Sequence, residues 1–425
     1  MFFQGKKIVL GITAGVALYK MCDFIRQLRK EGAEVRVILT ENAAKLVSRE
    51  LFYAVSGVLP ALSLFSEEIP DQERSPEATF LSGMTEGTVA LRQAQGDRSV
   101  AFPHLNLIRG ADAFLVAPAT ANILGKVANG IADDLLSTAL IAGHGMSIFF
   151  APAMNTRMWK NLIVKENCRK LKKVGYHIID PEEGELACGE IGEGRMANLD
   201  RLFHEMVRAV TSQDFSGKKI LITAGPTLEA IDPIRFFSNR SSGKMGYFLA
   251  QNAWHRGADV TVVSGQVAEN VSNLVRGMPE VSIVSVKTAD EMYVATKRFF
   301  PFCDACIFSA AVTDFRPQGI SHSKLKKSTA FHPTFTKTVD IAEKLSLSKT
   351  HQKIIGFSLE TENIIENARK KLKNKHFDMI VANTPETFGS DEIRCAFVTL
   401  TNKPSFHRFS KHTAASKILD FVIKS

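Results

Sequence analysis

Long apolar runs are missing from this chain of 425 residues, and no segment approaches the length of a membrane span. The sequence is also poor in cysteine: its six cysteines are scattered without a disulfide framework, so we expect them to be reduced. No signal or transit peptide is predicted, because the strand-like run KKIVLGI begins at residue 6. These absences exclude a secreted disulfide scaffold and a membrane-spanning protein. We expect a cytoplasmic protein without a membrane partner.

The chain has fewer acidic than basic side chains: 44 Asp and Glu against 53 Lys and Arg, which gives a net charge of +9. Residues 321–425 contribute 18 Lys and Arg but only 10 Asp and Glu. A basic nucleic-acid-binding module is one hypothesis, but the basic residues lack the stacked-aromatic pattern of such modules. A site for polyanionic small molecules explains the charge at least as well, and we expect no nucleic-acid partner.

The chain is too long for one ordinary domain, and its pattern of elements occurs twice. A buried strand at Ile8–Ile12 leads through a helix with a regular apolar face to a second strand, which makes a β-α-β unit. The segment GKKILITAGPT at 217–227 echoes GKKIVLGITAG at 5–15. We therefore predict an α/β protein of two tandem doubly wound domains, Rossmann-like or flavodoxin-like, with mainly parallel sheets. The predicted domains cover residues 1–210 and 211–425.

Other elements are predicted from short apolar runs and helical periodicity. Strands are predicted at 113–117, 146–150, 259–263, 281–286, 305–311, 353–358 and 378–382, and a helix at 244–256. Residues 65–103 show no sustained period and contain many polar side chains, so we interpret them as a surface insertion in the first domain.

Glycines and aspartates stand at two predicted turns of the first half. GITAGVALYK places Gly11, Thr13 and Gly15 between a strand and a helix, where backbone N–H groups bind phosphate. This turn is not the G-x-G-x-x-G fingerprint of NAD sites, and glycines that merely turn the chain are the alternative. Asp133 and Asp134 allow metal or acid chemistry, but we favour the capping of a helix N-terminus.

Four more segments of the first half carry polar or reactive residues. APATAN at 117–122 begins where a strand ends, and such strand ends bind ligands in open α/β sheets. Asn155 can donate and accept hydrogen bonds, which suits it to hold a carboxylate without titrating. His104 is either a packed surface residue or a base. Cys188 is a lone thiol among glycines in ELACGEIGEGRM.

The motifs GxTxGxAxYK, HxxL, APATAN, PAMNxxMW and LACGxxGxGRM occur in this order along the chain. As a set they resemble the flavin-dependent cysteine decarboxylases. The strongest resemblance is to the decarboxylase half of the bifunctional phosphopantothenoylcysteine decarboxylase/phosphopantothenate–cysteine ligases, and it covers residues 5–64 and 100–200. It implies an FMN cofactor that oxidises the thiol end of 4'-phosphopantothenoylcysteine. Loss of CO2 and reduction by the flavin would then give 4'-phosphopantetheine.

The resemblance also implies roles for single residues. Asn155 would hold the departing carboxylate, His104 would act on protons beside the flavin, and Cys188 would donate the last proton. A thiol with an unperturbed pKa near 8.5 stays mostly protonated at neutral pH, as a donor must. We interpret the glycines around it as hinges of a lid. The implied FMN contacts are Gly11, Thr13, Ala14, Gly15, Thr40, Pro118, Ala119, Thr120 and Asn122, and Ala14 replaces a glycine that is common in the family.

In the second half, SSGKMG is not a P-loop, because Ser238 stands where the first Walker glycine would fall. Gly243 and Gly246 instead allow a helix to begin close to a ligand phosphate. Arg235 and Asn239 offer polar contacts at the same end.

Two further motifs of this half allow more than one interpretation. Cys303-x-x-Cys306 suggests zinc or redox chemistry, but it has no second pair at suitable spacing, and we favour two small residues packed in a sheet. The lysines of KLKKS at 324–328 are either solvated or face an anion.

The segment 223–246 resembles the ligase half of the same family. The resemblance implies that CTP activates the carboxylate of 4'-phosphopantothenate as an acyl cytidylate, that the cysteine amine then attacks, and that Mg2+ bridges the phosphates. Asn239 would hold the intermediate, Lys324 would stabilise developing charge, and Arg235 would assist. KTVD at 337–340 replaces the usual Lys-Asn-Pro-Asp, and the Mg2+ ligands are not assigned. The implied CTP contacts are Phe308, Ser309, Ala310, Asp314, Lys324, Val339, Asp340, Ile341, Ala342, Phe357, Lys371 and Lys375.

Three alternatives remain besides the bifunctional enzyme. A flavin-dependent peptidyl-cysteine decarboxylase or a flavin prenyltransferase would not explain residues 217–425. A non-catalytic flavin-binding regulatory protein could dispense with Asn155 and Cys188, yet both are present. A nucleic-acid-binding module depends on charge alone. The resemblance also leads us to expect a homo-oligomer.

Overall fold

Buried strands with apolar side chains on both faces form the centre of each half of the chain. The structure is a computed structural model, and it describes residues 1–64, 103–187, 189–326, 333–387 and 389–424. The chain forms two compact units, Met1–Val210 and Thr211–Ser425. Of the predicted insertion at 65–103, only residue 103 lies within the described residues.

The first unit contains a parallel sheet of five strands in the order β2-β1-β3-β4-β5. Its strands are β1 (Lys7–Ile12), β2 (Glu34–Leu39), β3 (Ala113–Ala119), β4 (Ser147–Pro152) and β5 (His177–Ile178). The strand order reverses between β1 and β3, the position at which doubly wound sheets open a crevice for ligands. A separate antiparallel hairpin pairs β6 (Glu182–Glu185) with β7 (Ile191–Arg195).

Helices cover both faces of this sheet. They are α1 (Lys20–Lys30), α2 (Glu41–Leu46), α3 (Arg49–Ser56), α4 (Pro103–Ile108), α5 (Ala121–Ala128), α6 (Leu135–Ala142), α7 (Thr156–Trp159), α8 (Leu162–Lys173) and α9 (Leu199–Val210). On one face, α1 buries Phe24 and Leu28 against Leu10. On the other face, Leu136 of α6 packs with Phe114. Each fully buried side chain of this kind contributes about 1.5–3 kcal/mol.

The second unit contains a sheet of eight strands in the order β12-β11-β8-β13-β16-β17-β18-β19. Pairing is parallel from β12 to β17 and antiparallel for the last two strands. These strands are β8 (Lys219–Ala224), β11 (Asp259–Ser264), β12 (Val281–Ser285), β13 (Ala305–Phe308), β16 (Lys353–Leu359), β17 (Met379–Asn383), β18 (Glu392–Val398) and β19 (His407–Ser410). The α/β class with mainly parallel sheets is thus confirmed, and the antiparallel edge is a feature that the sequence did not predict.

Two small hairpins and six helices complete the description of this unit within the described residues. The hairpins pair β9 (Leu228–Ala230) with β10 (Phe236–Ser238), and β14 (Phe315–Pro317) with β15 (Phe335–Lys337). The helices are α10 (Lys244–His255), α11 (Glu269–Ser272), α12 (Ala289–Phe299), α13 (Ile341–Ser346), α14 (Ile364–Asn374) and α15 (Lys411–Lys424).

The repeated GKK segments correspond to a repeated structural device. In the first unit, Asp112 accepts a hydrogen bond from the Lys7 backbone N–H (2.8 Å) and pairs with the Lys6 ammonium group (2.8 Å). In the second unit, Asp304 accepts from the Lys219 backbone N–H (2.8 Å), and Lys218 lies 3.3 Å away. Each aspartate precedes a strand and so fixes the amino end of that strand beside its neighbour.

The paired cysteines of the second half are buried. Burial raises the pKa of Cys303 to about 12 and raises the pKa of Cys306 well above its ordinary value. Across the described ranges, no three His, Cys, Asp or Glu side chains form a potential metal site. Both cysteines pack in a buried apolar cluster of the second unit, as the sequence favoured.

Among the residues whose placement is described, no helix is both long and apolar enough to cross a lipid bilayer. The cytoplasmic location stays a prediction.

The Asp112 device should stabilise the first unit. Burial raises the pKa of Asp112, but the hydrogen bonds from Lys6 and Lys7 outweigh it and lower the pKa. We expect Asp112→Asn to lower the free energy of unfolding by about 1–3 kcal/mol, since bonds to charged groups are strong. The loss should be full above the unfolded aspartate pKa of about 3.9 and should disappear as the pH falls through the lower folded value.

Urea unfolding at several pH values would measure this effect. Each unit contains one of the two tryptophans, so in a Trp254→Phe background Trp159 fluorescence reports on the first unit. Asp23→Asn is the matched control, because its ion pair with Arg26 is exposed and should be worth at most about 1 kcal/mol. Equal losses in the two variants would contradict the assigned role of Asp112.

Candidate active sites

The loops after three parallel strands of the first unit meet at one edge of the sheet. The Thr13 hydroxyl, after β1, donates to the Pro118 carbonyl in β3 (2.7 Å) and accepts from the Thr120 N–H (3.2 Å). Thr40, after β2, donates its N–H to the Ile12 carbonyl (3.1 Å). These predicted cofactor contacts therefore belong to one hydrogen-bonded edge.

The turn after β1 suits a bound phosphate. Gly15 is the N-cap of the short 3-10 helix Val16–Tyr19, and its side-chain-free position leaves the first N–H groups without a side-chain cap. A methyl group on Gly15 would lie 3.0 Å from Pro118 Cγ, a tight contact that glycine avoids. Free N–H groups at a helix start bind anions.

The other predicted cofactor contacts have more varied positions. A Cβ on Gly11 would lie 2.5 Å from Leu136 Cδ1, so Gly11 serves packing in the core. Thr40 caps α2 by accepting from the Ala43 N–H (3.2 Å). Ala14 is half-buried in the turn after β1, and Pro118 and Ala119 are the last residues of β3. Thr120 and Asn122 lie at the start of α5, and the Thr120 side chain makes no capping hydrogen bond.

Asn155 belongs to the loop after β4 and contacts the segment that joins β6 to β7. Its Oδ1 accepts from the Arg157 N–H (2.8 Å), which caps α7, and its Nδ2 donates to Glu190 Oε2 (3.3 Å). Cys188 itself lies outside the described residues. Glu190 is two positions away from Cys188, so the described part of this loop lies against Asn155.

Two of the glycines near Cys188 are closely packed, and their role as lid hinges stays a prediction. Gly192 and Gly194 lie in β7, and a Cβ on them would lie 2.5 Å from Thr156 Oγ1 and 2.2 Å from the Met154 carbonyl oxygen, respectively. The Met154 N–H donates to the Gly194 carbonyl (3.0 Å). These glycines therefore allow the hairpin to pack directly against the PAMN loop.

Two further predictions for the first unit concern His104 and the aspartate pair. His104 is half-buried in the first turn of α4. Asp134 is the N-cap of α6 in a reciprocal capping box with Ser137, and Lys126 lies within 2.7 Å of both Asp133 and Asp134. Burial raises the pKa of Asp134, but Lys126 and Ser137 outweigh it and lower the pKa. The capping interpretation is confirmed for Asp134, whereas Asp133 pairs with Lys126 and does not cap the helix.

In the second unit, a cavity of about 1220 Å³ opens at the carboxyl ends of the central strands. The SSGK segment and the start of α10 also line it. All of the predicted CTP contacts except Lys324 lie in its lining, together with Asn239: Phe308, Ser309, Ala310, Asp314, Val339, Asp340, Ile341, Ala342, Phe357, Lys371 and Lys375. The structure gathers these residues, and their contact with CTP stays a prediction.

Close packing places the start of α10 against the central strands. Gly243 has a φ of +74°, and a Cβ on Gly246 would lie 2.5 Å from Ala224 Cβ. Asn239 Nδ2 donates to the Val312 carbonyl (2.9 Å), which joins the end of β10 to the loop after β13. The helix start and Asn239 thus form one wall of the cavity.

Four of the lysines that line the cavity are held by carboxylates or by backbone oxygen. Lys371 Nζ donates to Glu360 Oε1 (2.7 Å), Lys375 pairs with Asp340, and Lys244 pairs with Asp391 (2.6 Å). Lys411 is buried and donates to the Ser390 carbonyl, and desolvation together with Lys244 lowers its pKa.

The sequence did not single out Lys411 or Thr384, whose buried side chains also line the cavity. Neither belongs to a motif, so only folding reveals them. Lys244 was visible within SSGKMG but was given no role.

Arg235 and Lys324 do not line this cavity among the described residues. The Arg235 guanidinium donates to Asp232 and to the Leu325 carbonyl, and Lys324 is exposed. The sequence predicted both residues beside the nucleotide, whereas the structure places Arg235 in the turn between β9 and β10, where it binds Leu325, the residue after Lys324.

Each of the two units matches a known protein family. Residues 3–211 match the family model described as Flavoprotein, and residues 215–425 match the one described as DNA/pantothenate metabolism flavoprotein C-terminal domain. The coenzyme A biosynthesis bifunctional protein CoaBC of Bacillus subtilis (strain 168) is 38% identical over 391 residues, which cover 91% of this chain and 88% of that protein.

The chain belongs to the family of coenzyme A biosynthesis bifunctional proteins. The protein of that name from Borreliella burgdorferi is 35% identical over 425 residues, with 99% of both chains covered. A crystal structure of the C-terminal domain of a bifunctional protein CoaBC covers 50% of this chain and 97% of that one, with 36% identity and a TM-score of 0.43. The chain is accordingly a flavoprotein and a bifunctional enzyme, with a decarboxylase and a ligase activity.

Gly194 should be needed for the decarboxylase activity of this family member. In Gly194→Ala, the methyl group would overlap the Met154 carbonyl and shift the adjoining Asn155. A misplacement of about 1 Å costs on the order of 100-fold in rate, so CO2 release should fall by about tenfold or more. The ligase activity of the same preparation should be unchanged.

Gly145→Ala is the matched control for this variant. Gly145 has a positive φ (+94°) in the same unit, but no atom lies within 4 Å of its added Cβ. A CO2-release rate that falls equally in both variants would show that general strain, and not the contact with the PAMN loop, explains the loss.

Proposed function

We propose that residues 1–210 form an FMN-dependent phosphopantothenoylcysteine decarboxylase and residues 211–425 a CTP-dependent phosphopantothenate–cysteine ligase. The observation that supports this most is the cavity of the second unit, which gathers eleven predicted CTP contacts from separate parts of the sequence. The substrates would be 4'-phosphopantothenate, cysteine, CTP and 4'-phosphopantothenoylcysteine. The homo-oligomeric state stays a prediction.

The edge of the first unit fits a flavin phosphate. The uncapped N–H groups that follow Gly15 would hold the phosphate, and the Thr13–Pro118–Thr120 hydrogen bonds would fix the wall beside it. When bound, the flavin would supply two-electron oxidation of the substrate's cysteine end and later its reduction.

Side chains of the first unit would bind and protonate the substrate. Asn155 donates to a carboxylate, that of Glu190, which supports the proposal that its amide would hold the substrate carboxylate before CO2 leaves. Cys188, beside Glu190 in sequence, would then protonate the enethiolate. His104 would move protons near the same group.

In the second unit, positive charge would stabilise the activation of the carboxylate. CTP would be attacked at its α-phosphorus by the carboxylate of 4'-phosphopantothenate, which releases pyrophosphate and leaves an acyl cytidylate. Lys371 and Lys375 would bind the phosphates, Asn239 would hold the intermediate, and Lys324 would stabilise the developing charge. When bound, Mg2+ would offset the negative charge of the phosphates.

One assay tests both halves. Purified protein should be yellow, and with 4'-phosphopantothenate, cysteine, CTP and Mg2+ it should release pyrophosphate and then CO2. Protein that stays colourless after incubation with excess FMN would contradict the proposal for the first unit. Pyrophosphate release that does not depend on CTP and 4'-phosphopantothenate would contradict the proposal for the second.

Cys188→Ser should separate decarboxylation from the final protonation. A serine hydroxyl is far less acidic than a thiol, so CO2 should be released once while the oxidised enethiol product and reduced flavin accumulate. Stopped-flow absorbance of the flavin and product mass measure this. Cys22→Ser, a half-buried thiol on α1 in the same unit, is the matched control and should turn over normally. Formation of 4'-phosphopantetheine at the normal rate by Cys188→Ser would exclude Cys188 as the proton donor.

A further inference from the structure

A buried carboxylate organises the tip of the hairpin β9–β10. The side chain of Asp232 is fully buried, and its Oδ1 accepts from the backbone N–H groups of Ile234 and Arg235, both at 2.8 Å. The Arg235 side chain folds back on the same carboxylate, with Nε at 2.9 Å and Nη2 at 2.8 Å from Oδ2. Arg235 is thus fixed in place from both ends.

The same two side chains hold a segment about 90 residues further along the chain. The Leu325 N–H donates to Asp232 Oδ2 (3.2 Å), and Arg235 Nη2 donates to the Leu325 carbonyl (2.6 Å). The Ser321 N–H also donates to the Ile231 carbonyl (3.0 Å). We name the group formed by Asp232, Arg235 and Leu325 the clasp. It binds both backbone polar groups of Leu325, the residue after Lys324.

The clasp contains more hydrogen bonds than are needed to close the hairpin turn. An aspartate that only closes a turn needs the local N–H groups, which here occupy Oδ1 alone. Burial of a carboxylate is costly unless several donors surround it, and the second oxygen meets its donors on Arg235 and Leu325. Desolvation raises the pKa of Asp232, but the N–H groups of Ile234, Arg235 and Leu325 outweigh it and lower the pKa to about 2. The carboxylate stays charged throughout the working range of an enzyme.

We propose that Asp232 is a positioning residue of the ligase reaction, which fixes Lys324 by holding the backbone of Leu325. The inference rests on the proposed ligase function of the second unit. The hairpin that carries the clasp continues through β10 to Asn239, whose amide binds the Val312 carbonyl in the cavity wall. The clasp therefore connects Lys324 and Asn239 to one hairpin, although Lys324 is exposed and is not among the described residues that line this cavity.

A double-mutant cycle with the full chain tests whether Asp232 acts through Lys324. Asp232→Asn keeps Oδ1 for the turn, but its amide nitrogen cannot accept from Leu325 or Arg235. We expect the kcat of CTP-dependent pyrophosphate release to fall by about tenfold or more, with the KM for CTP little changed. In a Lys324→Gln background the same change should cost less than about twofold. An equal loss in both backgrounds would overturn the proposal.

Asp304→Asn is the matched control for the cycle. Asp304 also accepts from a backbone N–H and pairs with a lysine, but at the opposite edge of the sheet. It should leave the kcat unchanged in both backgrounds. A fall in kcat as large as that of Asp232→Asn would overturn the proposal, because any lost aspartate would then have the same effect.

Trypsin gives a readout that does not need ligase activity. Cleavage after Lys324 in the folded protein should be about tenfold faster in Asp232→Asn than in the wild type or Asp304→Asn, because the freed backbone opens more readily. Mass spectrometry of the fragments identifies the site. Unchanged cleavage would overturn the clasp. A wild type without CTP-dependent activity would instead refute the proposed function, and the trypsin result would still decide whether Asp232 holds Leu325.

Discussion

Parallel pairing of the strands is the constraint on which both candidate sites depend. It brings the loops after β1, β3 and β4 to one edge in the first unit, and those after β8, β13 and β16 to one edge in the second. Thr13 and Thr120 are far apart in sequence, yet one hydrogen bond joins them (3.2 Å). Parallel strands also require crossover connections, here helices, which bury both faces of the sheet. The free surface for chemistry is therefore the edge where the strands end.

At the opposite edge, where the parallel strands begin, aspartates fix the alignment of neighbouring strands. Asp112 and Asp304 bind the amino ends of β1 and β8, and Asp378 in the same way accepts from the Ile354 N–H (2.7 Å) and pairs with Lys349 (2.7 Å). Each carboxylate meets a backbone donor and a lysine, so strand alignment is set away from the ligands. The carboxyl edge is left to glycines, threonines and lysines that suit anions. The separation lets site residues vary without a change of register.

The sequence predicted most of the parallel strands, and most of its predicted CTP contacts lie in the cavity, because both depend on local patterns and on family motifs. Apolar runs located β13 and β16, and the family resemblance selected Lys371 and Lys375, which the fold brings to one cavity. Features that arise from distant contacts were out of reach. Nothing near Gly194 in sequence shows that its Cβ would overlap the Met154 carbonyl, so its role as a packing contact was missed. Likewise, only the fold shows that Arg235 binds the backbone of Leu325.

The excess positive charge of the last hundred residues is less available than composition suggests. Two cavity lysines of this stretch, Lys371 and Lys375, are each bound to a carboxylate, as is Lys244 from an earlier part of the chain. Those pairs must open or be shared when an anion arrives. A single phosphate that replaces one carboxylate should bind with little net free energy, because one ion pair with the lysine is exchanged for another. A chain of phosphates can bind several lysines at once. Each added contact then increases the affinity without a further loss of translational and rotational entropy by the ligand. Paired lysines in a large cavity therefore favour a polyphosphate over a monoanion, which agrees with a nucleoside triphosphate as the ligand.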